Sequence, residues 1–312
     1  MASSDNHSFR RFVAPRYWPT WALWATLKLL SYLPLRLQFA FGTYLGHLLF
    51  AVLKRQRHIA ETNLAICFPE LSAARRYDLL RSHFVALGIS FIEMSIAWFS
   101  PIERLRKLIR VNGEEHLRAA IAQDRPVLLW GAHFTCLEIG VTLLADYTER
   151  CATMYRSQRN PMMDALIRRG RSRFAAEQIS RDDIRRLLKR LKEGYAVVYF
   201  PDQTYVGNQS ALLPFFGEPA MVNTATSKLA NMANATVLTY FYRRLPDNSG
   251  YVLEIGPPLG NVPSNDPIAD ARALSSALED FIRLAPEQYL WTYKKFKRRP
   301  QGFSDPYQKP PA

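Results

Sequence analysis

Two apolar stretches open the chain: WPTWALWATLKLLSYLPL, broken by Lys28 and Pro34, and Leu37 to Leu53, 17 residues with only His47 as a possible charge. A membrane-spanning helix needs about 20 apolar residues, so each stretch alone falls short of a span. Trp18, Trp21, Trp24, Tyr32 and Tyr44 are of the types that collect at the headgroup level of a bilayer. From Ile59 to about Arg110 apolar positions recur at helical spacing, interrupted at CFPELS, where Pro69 ends one helix and Ser72 caps the next. Beyond that point the period shortens. PVLLWGA, ATMYR, AVVYFPD, TVLTYFYRR and YVLEIGPP are short runs rich in β-branched and aromatic residues, which predicts strands. DDIRRLLKRLKEG, NTATSKLANMANA and PIADARALSSALEDFIRLA alternate with them at helical spacing. The pattern predicts an α/β fold, with a mixed, mainly parallel sheet flanked by helices. The last two strands, joined by LPDNSG, predict an antiparallel hairpin. There is no internal repeat and no nucleotide-binding glycine fingerprint.

Charge narrows the class of partner. The formal net charge is +14 over 312 residues, which points to an anionic partner: nucleic acid, anionic lipid or an acidic carrier protein. Arg10, Arg11 and Arg16 precede the apolar pair, and Lys54, Arg55 and Arg57 follow it. Basic flanks on both sides favour a hairpin or helices lying in one leaflet, which leave both flanks on one side. Two buried core helices are the alternative. No cleavable signal peptide is evident. Cys67, Cys136 and Cys151 share no metal-ligand spacing and read as free thiols in a reducing compartment.

The stretch WGAHFTCLEIG carries the first candidate chemistry. Positions five apart on a continuous helix lie about 140° apart, so His133 and Glu138 meet only if His133 sits off the helix. VLLW is strand-like, Gly131 and Ala132 suit a tight corner, and LEIGVTLLA has the pattern of a following helix. His133 is then expected at the carboxyl end of a strand, where open α/β sheets place their sites. Glu138 folding back onto one ring nitrogen would make the imidazole a general base for a hydroxyl. With 6 histidines and 27 acids, chance alone produces about half of one such spacing, so position rather than spacing carries the argument.

Two more strand-like runs end in polar residues. In MYRSQRNP, Arg156 follows a strand and is suited to a phosphate or an oxyanion; a solvated strand-end arginine is the plainer reading. In YFPDQT, Asp202 and Gln203 stand at a third strand end, Asp202 being open also to a turn-forming role after Pro201. LLPFFG, Leu212 to Gly217, is too apolar for an ordinary loop and suits either an acyl-chain wall or core packing. Cys136 reads as a small buried filler rather than a nucleophile. Base, anion binder and acyl wall beside a membrane-seeking N-terminus describe acyl transfer to a lipid.

The ordered set APRYWPTWALW, NLAICFPELS, GISFIEMSIAWF, GAHFTCLEIG, YRSQRNPMMDALI, FPDQTY, LLPFFGEPA and LAPEQYLWTYKKFKRRP resembles the late acyltransferases of lipid A biosynthesis, in the lysophospholipid acyltransferase superfamily. It covers nearly the whole chain. The superfamily's His-x-x-x-x-Asp/Glu motif falls on His133 and Glu138, implying a catalytic dyad. Substrate binding is expected of Arg156, Arg159, Asp202 and Gln203, the family's arginine block resembling Tyr155-Arg156 and its Pro-Asp block Pro201-Asp202-Gln203. It implies acyl carrier protein as donor, Kdo-lipid IVA as acceptor, and work at the cytoplasmic face of a bacterial inner membrane. An acceptor such as a lysophospholipid or an ornithine lipid is the alternative within acyl transfer. The expected organisation is a tail over residues 1–16, a membrane-anchoring helical segment over 17–57 and an acyltransferase domain over 58–312. One departure is Thr204, where relatives tend to carry a second acid in a PDxDxG pattern. No cofactor is expected, and no metal, since the histidines are scattered and no acid-rich cluster lies near His133. A nucleic-acid binder is disfavoured by the dispersed basic residues. A serine hydrolase is disfavoured by the lack of a GxSxG elbow.

Overall fold

The computed structural model describes residues 9–308. Its centre is a seven-stranded sheet made of β1 (Ile109–Asn112), β2 (Val127–Gly131), β3 (Cys151–Tyr155), β4 (Glu177–Ser180), β5 (Ala196–Tyr199), β8 (Thr236–Arg244) and β9 (Tyr251–Pro258). The strand order is β1-β9-β8-β2-β5-β3-β4. Strands β8, β2, β5, β3 and β4 run parallel, β9 turns back on β8, and β1 pairs parallel with β9. The mixed, mainly parallel sheet and its antiparallel hairpin are therefore as the pattern predicts. A separate hairpin joins β6 (Ser210–Phe215) to β7 (Glu218–Asn223), so LLPFFG is strand and turn.

Strands β2 and β5 are buried at every residue, as strands covered on both faces must be. The helices are α1 (Trp18–Leu30), α2 (Leu35–Val52), α3 (Lys54–Cys67), α4 (Ala73–Phe99), α5 (Ile102–Leu108), α6 (Glu114–Ala122), α7 (Leu137–Gly140), α8 (Pro161–Arg171), α9 (Ile184–Lys192), α10 (Ala225–Ala233) and α11 (Pro267–Leu284). Ser72 caps α4 as expected, its Oγ accepting the Arg75 N–H at 3.3 Å. Asn160 with Pro161, and Asp266 with Pro267, start α8 and α11 by the same device. The expected helix at LEIGVTLLA is only one turn, α7, followed by turns and a short 3₁₀ segment.

The N-terminal helices belong to the body of the protein. A Cβ on Gly88 of α4 would come within 2.2 Å of the Gly42 carbonyl oxygen and the Gly46 nitrogen of α2. The two helices therefore cross backbone to backbone, and only glycine permits it. Gln38 and Phe39 of α2 are buried, and Ser95 Oγ of α4 donates to the Leu27 carbonyl of α1 at 2.5 Å. Phe12, inside the expected tail, and Tyr17, at the start of the expected anchoring segment, pack on Met162, Ala165 and Leu166 of α8. The opposite face of α2 carries Leu37, Phe41, Tyr44, Leu48 and Val52, all exposed and at helical spacing. One face of α2 is thus core and the other an open apolar stripe. Helix α4 is long and apolar enough to cross a membrane, yet 61% of its apolar window is buried within the protein.

Candidate active site

Strands β2 and β5 lie side by side in the register Val127↔Ala196 to Trp130↔Tyr199. Continued past the strand ends, that register sets His133 opposite Asp202, 69 residues away in sequence. The side chains meet there. His133 Nδ1 lies 2.6 Å from Asp202 Oδ1, and the His133 backbone N–H donates to Oδ2 at 3.1 Å. Tyr289 O–H donates to the same Oδ2 at 3.2 Å. An ionised carboxylate only accepts hydrogen bonds, so Nδ1 carries a proton, and in the neutral imidazole Nε2 keeps its lone pair. Nε2 has no hydrogen-bond partner among the described residues, and the imidazole is 28% exposed while the Asp202 side chain is 2% exposed.

Opposing influences set the basicity of this pair. Burial, the largest, pushes the His133 pKa down; the charge and hydrogen bond of Asp202 outweigh it, and Arg171 opposes them. The net result lies above the ordinary histidine value. For Asp202, burial pushes upward, but His133, Lys295 and the backbone donor hold the carboxyl below its usual range.

Glu138, expected as the partner of His133, is occupied elsewhere. Arg171 Nε lies 3.2 Å from both of its carboxylate oxygens and Trp98 Nε1–H donates to Oε2 at 3.0 Å. The short α7 turns this carboxylate toward the ends of α4 and α8 rather than back along the chain. Nearby, Arg173 closes the end of α4 by donating to the carbonyls of Ala97, Trp98 and Ser100. The motif spacing thus places an acid near His133 without joining the two.

Arg156 and Arg159 lie beyond the end of β3, exposed, with no acidic partner among the described residues. Gln203 is half-buried beside Asp202. Thr204 donates to the Lys295 carbonyl at 2.6 Å and accepts from Tyr293 O–H through its own carbonyl at 3.2 Å. It therefore ties the Asp202 loop to the C-terminal segment where a second acid would stand in relatives. Phe215, in the expected acyl wall, is fully buried, with its ring 6.1 Å from that of Tyr289. Tyr289, Lys295, Arg171 and Trp98 escape sequence reasoning, because their only signals are a basic C-terminal cluster and scattered helix positions. Among the described residues no group of three His, Cys, Asp or Glu is placed to hold a metal ion. The three cysteines are free and buried.

Residues 6–298 match the family described as bacterial lipid A biosynthesis acyltransferase. The lipid A biosynthesis lauroyltransferase of Escherichia coli (strain K12) is 36% identical over 294 residues, covering 94% of this chain and 96% of its own length. The palmitoleoyltransferase of lipid A biosynthesis from the same organism is 37% identical, covering 96% and 97%. A lipid A biosynthesis acyltransferase of Haemophilus influenzae is 31% identical, covering 93% of each chain.

Proposed function

Because the chain belongs to the bacterial lipid A biosynthesis acyltransferase family and is an acyltransferase, we propose that it moves a fatty acyl chain from an acyl-carrier-protein thioester to Kdo-lipid IVA. The acceptor group is the hydroxyl of a hydroxyacyl chain. The observation that carries this reading is a partly exposed imidazole with a buried carboxylate on Nδ1 and, among the described residues, no partner on Nε2. Nε2 takes the proton of the acceptor hydroxyl as its oxygen attacks the thioester carbonyl. The tetrahedral intermediate collapses, the carbon–sulfur bond breaks, and the imidazolium returns the proton to the departing thiolate. An ester and a free carrier thiol result.

Asp202 is the orienting carboxylate in this reading, holding the tautomer and stabilising the imidazolium. Glu138 acts one step back: with Arg171 and Trp98 it braces the loop that carries His133. Arg156, Arg159 and Gln203 bind substrate, the two guanidiniums, which have no acidic partner among the described residues, suiting the acceptor phosphates. The proposed location is the cytoplasmic face of the inner membrane. The exposed stripe of Leu37, Phe41, Tyr44, Leu48 and Val52 supports this by offering an apolar face to a bilayer. Net charge +14 suits both an acidic carrier and an anionic surface.

The test is incubation of purified protein with acyl carrier thioesters of several chain lengths and Kdo-lipid IVA, read by mass spectrometry. One added acyl chain on a hydroxyacyl branch is the expected product. Transfer only to a lysophospholipid or an ornithine lipid would replace the acceptor, and no transfer from any carrier thioester would remove the donor. Similarity to lauroyl- and palmitoleoyltransferases is nearly equal, so the assay, not the likeness, decides the chain length.

A further inference from the structure

Behind Asp202 sits a charge that the general-base reading does not use. Lys295 is 4% exposed, and its Nζ donates to the Asp202 carbonyl at 2.6 Å and lies 4.3 Å from the centre of the Phe215 ring. Burying an ammonium is costly unless a counter-charge and hydrogen bonds accompany it. One carbonyl and one ring face do not balance it. The segment bearing it is held from behind: Asn63 of α3 donates to the Trp291 and Tyr293 carbonyls at 2.7 and 2.8 Å, and Tyr307 O–H donates to Asn63 Oδ1 at 2.6 Å. In front, the same segment grips the 202–204 loop through Tyr289, Tyr293 and Lys295. The ammonium is therefore placed by the fold, not left there by a flexible side chain.

We propose that Lys295 is a positioning residue for the reaction, a fixed counter-charge that keeps Asp202 ionised while His133 is neutral. This rests on His133 being the base. A buried carboxylate with no other counter-ion would draw a proton onto the adjacent imidazole and hold it there, leaving the base already occupied. Burial draws the Lys295 pKa below its ordinary value, and Asp202 is the first of the groups that oppose this. With Lys295 protonated, the resting site holds one anion and one cation, and the imidazole is free to accept the substrate proton. Lys295 also depresses the Asp202 pKa in the direction this requires. The other titratable groups facing the row are Tyr289, Tyr242 of β8, Cys67 of α3, Arg171 of α8 and Glu279 of α11. The tyrosines and the cysteine are held neutral by burial. Arg171 is committed to Glu138.

The test is the pH dependence of kcat/KM for acyl transfer by full-length protein in detergent, with carrier thioester and tetraacylated acceptor. Lys295→Gln keeps a donor for the Asp202 carbonyl and removes the charge. Its acidic limb should move up by about one pH unit, as expected for one partly screened unit charge a few ångströms away. Above that limb its kcat/KM should return to within about threefold of wild type, whereas damage that is merely structural lowers the rate at every pH. Lys295→Arg should keep the limb where wild type has it. If the glutamine variant does not fold, Lys295→Met, an apolar side chain of similar length, takes the same measurement. An unmoved or lowered limb in the folded neutral variant overturns the inference, and so does failure of both neutral variants to fold, which makes the ammonium a folding element instead. His133→Ala separates the layers: an active alanine variant defeats the general-base reading, while an inactive one beside an unshifted glutamine variant defeats only the role of Lys295.

Discussion

Asp202→Asn is the substitution whose consequences the geometry defines most fully. Asp202 accepts from the imidazole Nδ1 at 2.6 Å, from the His133 backbone N–H at 3.1 Å and from Tyr289 O–H at 3.2 Å. An asparagine has one acceptor oxygen, and its NH₂ must then face either the backbone N–H with the tyrosine hydroxyl, or the imidazole. The first arrangement sets donor against donor, leaving buried groups unsatisfied at about 1–3 kcal/mol. The second forces Nδ1 to accept, which moves the ring proton to Nε2 and removes the base. Loss of a positioned general base costs about 10²–10⁴ in rate, and the asparagine variant should fall in that range. Its residual activity should also report a changed basicity. Asp202 supplies both influences that raise the His133 pKa; without them burial and Arg171 remain, and both push it down. The acidic limb of kcat/KM should therefore move to lower pH, opposite to the Lys295→Gln shift. The assay is kcat/KM across pH 5 to 9 with carrier thioester and tetraacylated acceptor, beside a thermal melt to establish folding. A folded variant within threefold of wild type, or one whose limb moves up, would refute the pairing.

Glu138→Gln leaves Arg171 without its counter-charge; the side chains are 13% and 16% exposed, so stability should fall by about 3 kcal/mol, read by denaturant titration. Its rate should fall less than that of His133→Ala; an equal fall would restore Glu138 as direct partner. Arg156→Lys keeps the charge and loses the planar fork, so a fall in kcat/KM for the phosphorylated acceptor is expected if two oxygens are gripped at once, and full activity would leave only a diffuse field. The His133–Asp202 pair also links stability to pH. The raised His133 pKa contributes below the unfolded value of 6.5, and this fades as pH rises through the folded value. The lowered Asp202 pKa contributes above 3.8 and is lost as pH falls through its folded value. The stability gap between wild type and Asp202→Asn should therefore be widest between those two values, and a gap widest at pH 9 would contradict the ion pair. Deleting residues 1–53 removes α2 from its backbone contact with α4 and bares Gly88, so the fragment should lose cooperative unfolding even in detergent; a well-folded, active fragment would mean that these helices are an appendage.

Much of the fold is legible because its central strands are buried on both faces. β2, β3, β5, β8 and β9 all announce themselves as apolar runs. β1, IRVN, and β4, EQIS, do not, since they lie at the sheet edges and carry charged or polar side chains. The β6–β7 hairpin turns at Phe216 and Gly217, both at positive φ, and Phe216 is not a residue that marks such a turn in a sequence. The amphipathic division of α2 is equally hidden, because its buried side carries Gln38, Gly42 and Gly46 beside Phe39, and the two glycines are buried by approaching Gly88.

At the site, the placement of His133 at a strand end follows from local pattern, while its partner does not. Sequence order brings His133, Arg156 and Asp202 at successive strand ends, but in space β5 lies between β2 and β3. That insertion makes Asp202 the neighbour of His133 and moves Arg156 one strand further out. A short-range motif points to Glu138 because local spacing is all a local reading can weigh. The pairing with Asp202 depends on sheet order, and the supports from Tyr289 and Lys295 depend on where the C-terminal segment returns.

The most direct test of the central claim is the single-turnover rate of acyl transfer by purified His133→Ala, with a carrier thioester and Kdo-lipid IVA both saturating. Melting temperature and detergent-solubilised size serve as the folding controls. A folded variant slowed by about 10²–10⁴ is the predicted result. Transfer by the folded alanine variant within tenfold of wild type would contradict it, and would place the base of this reaction elsewhere.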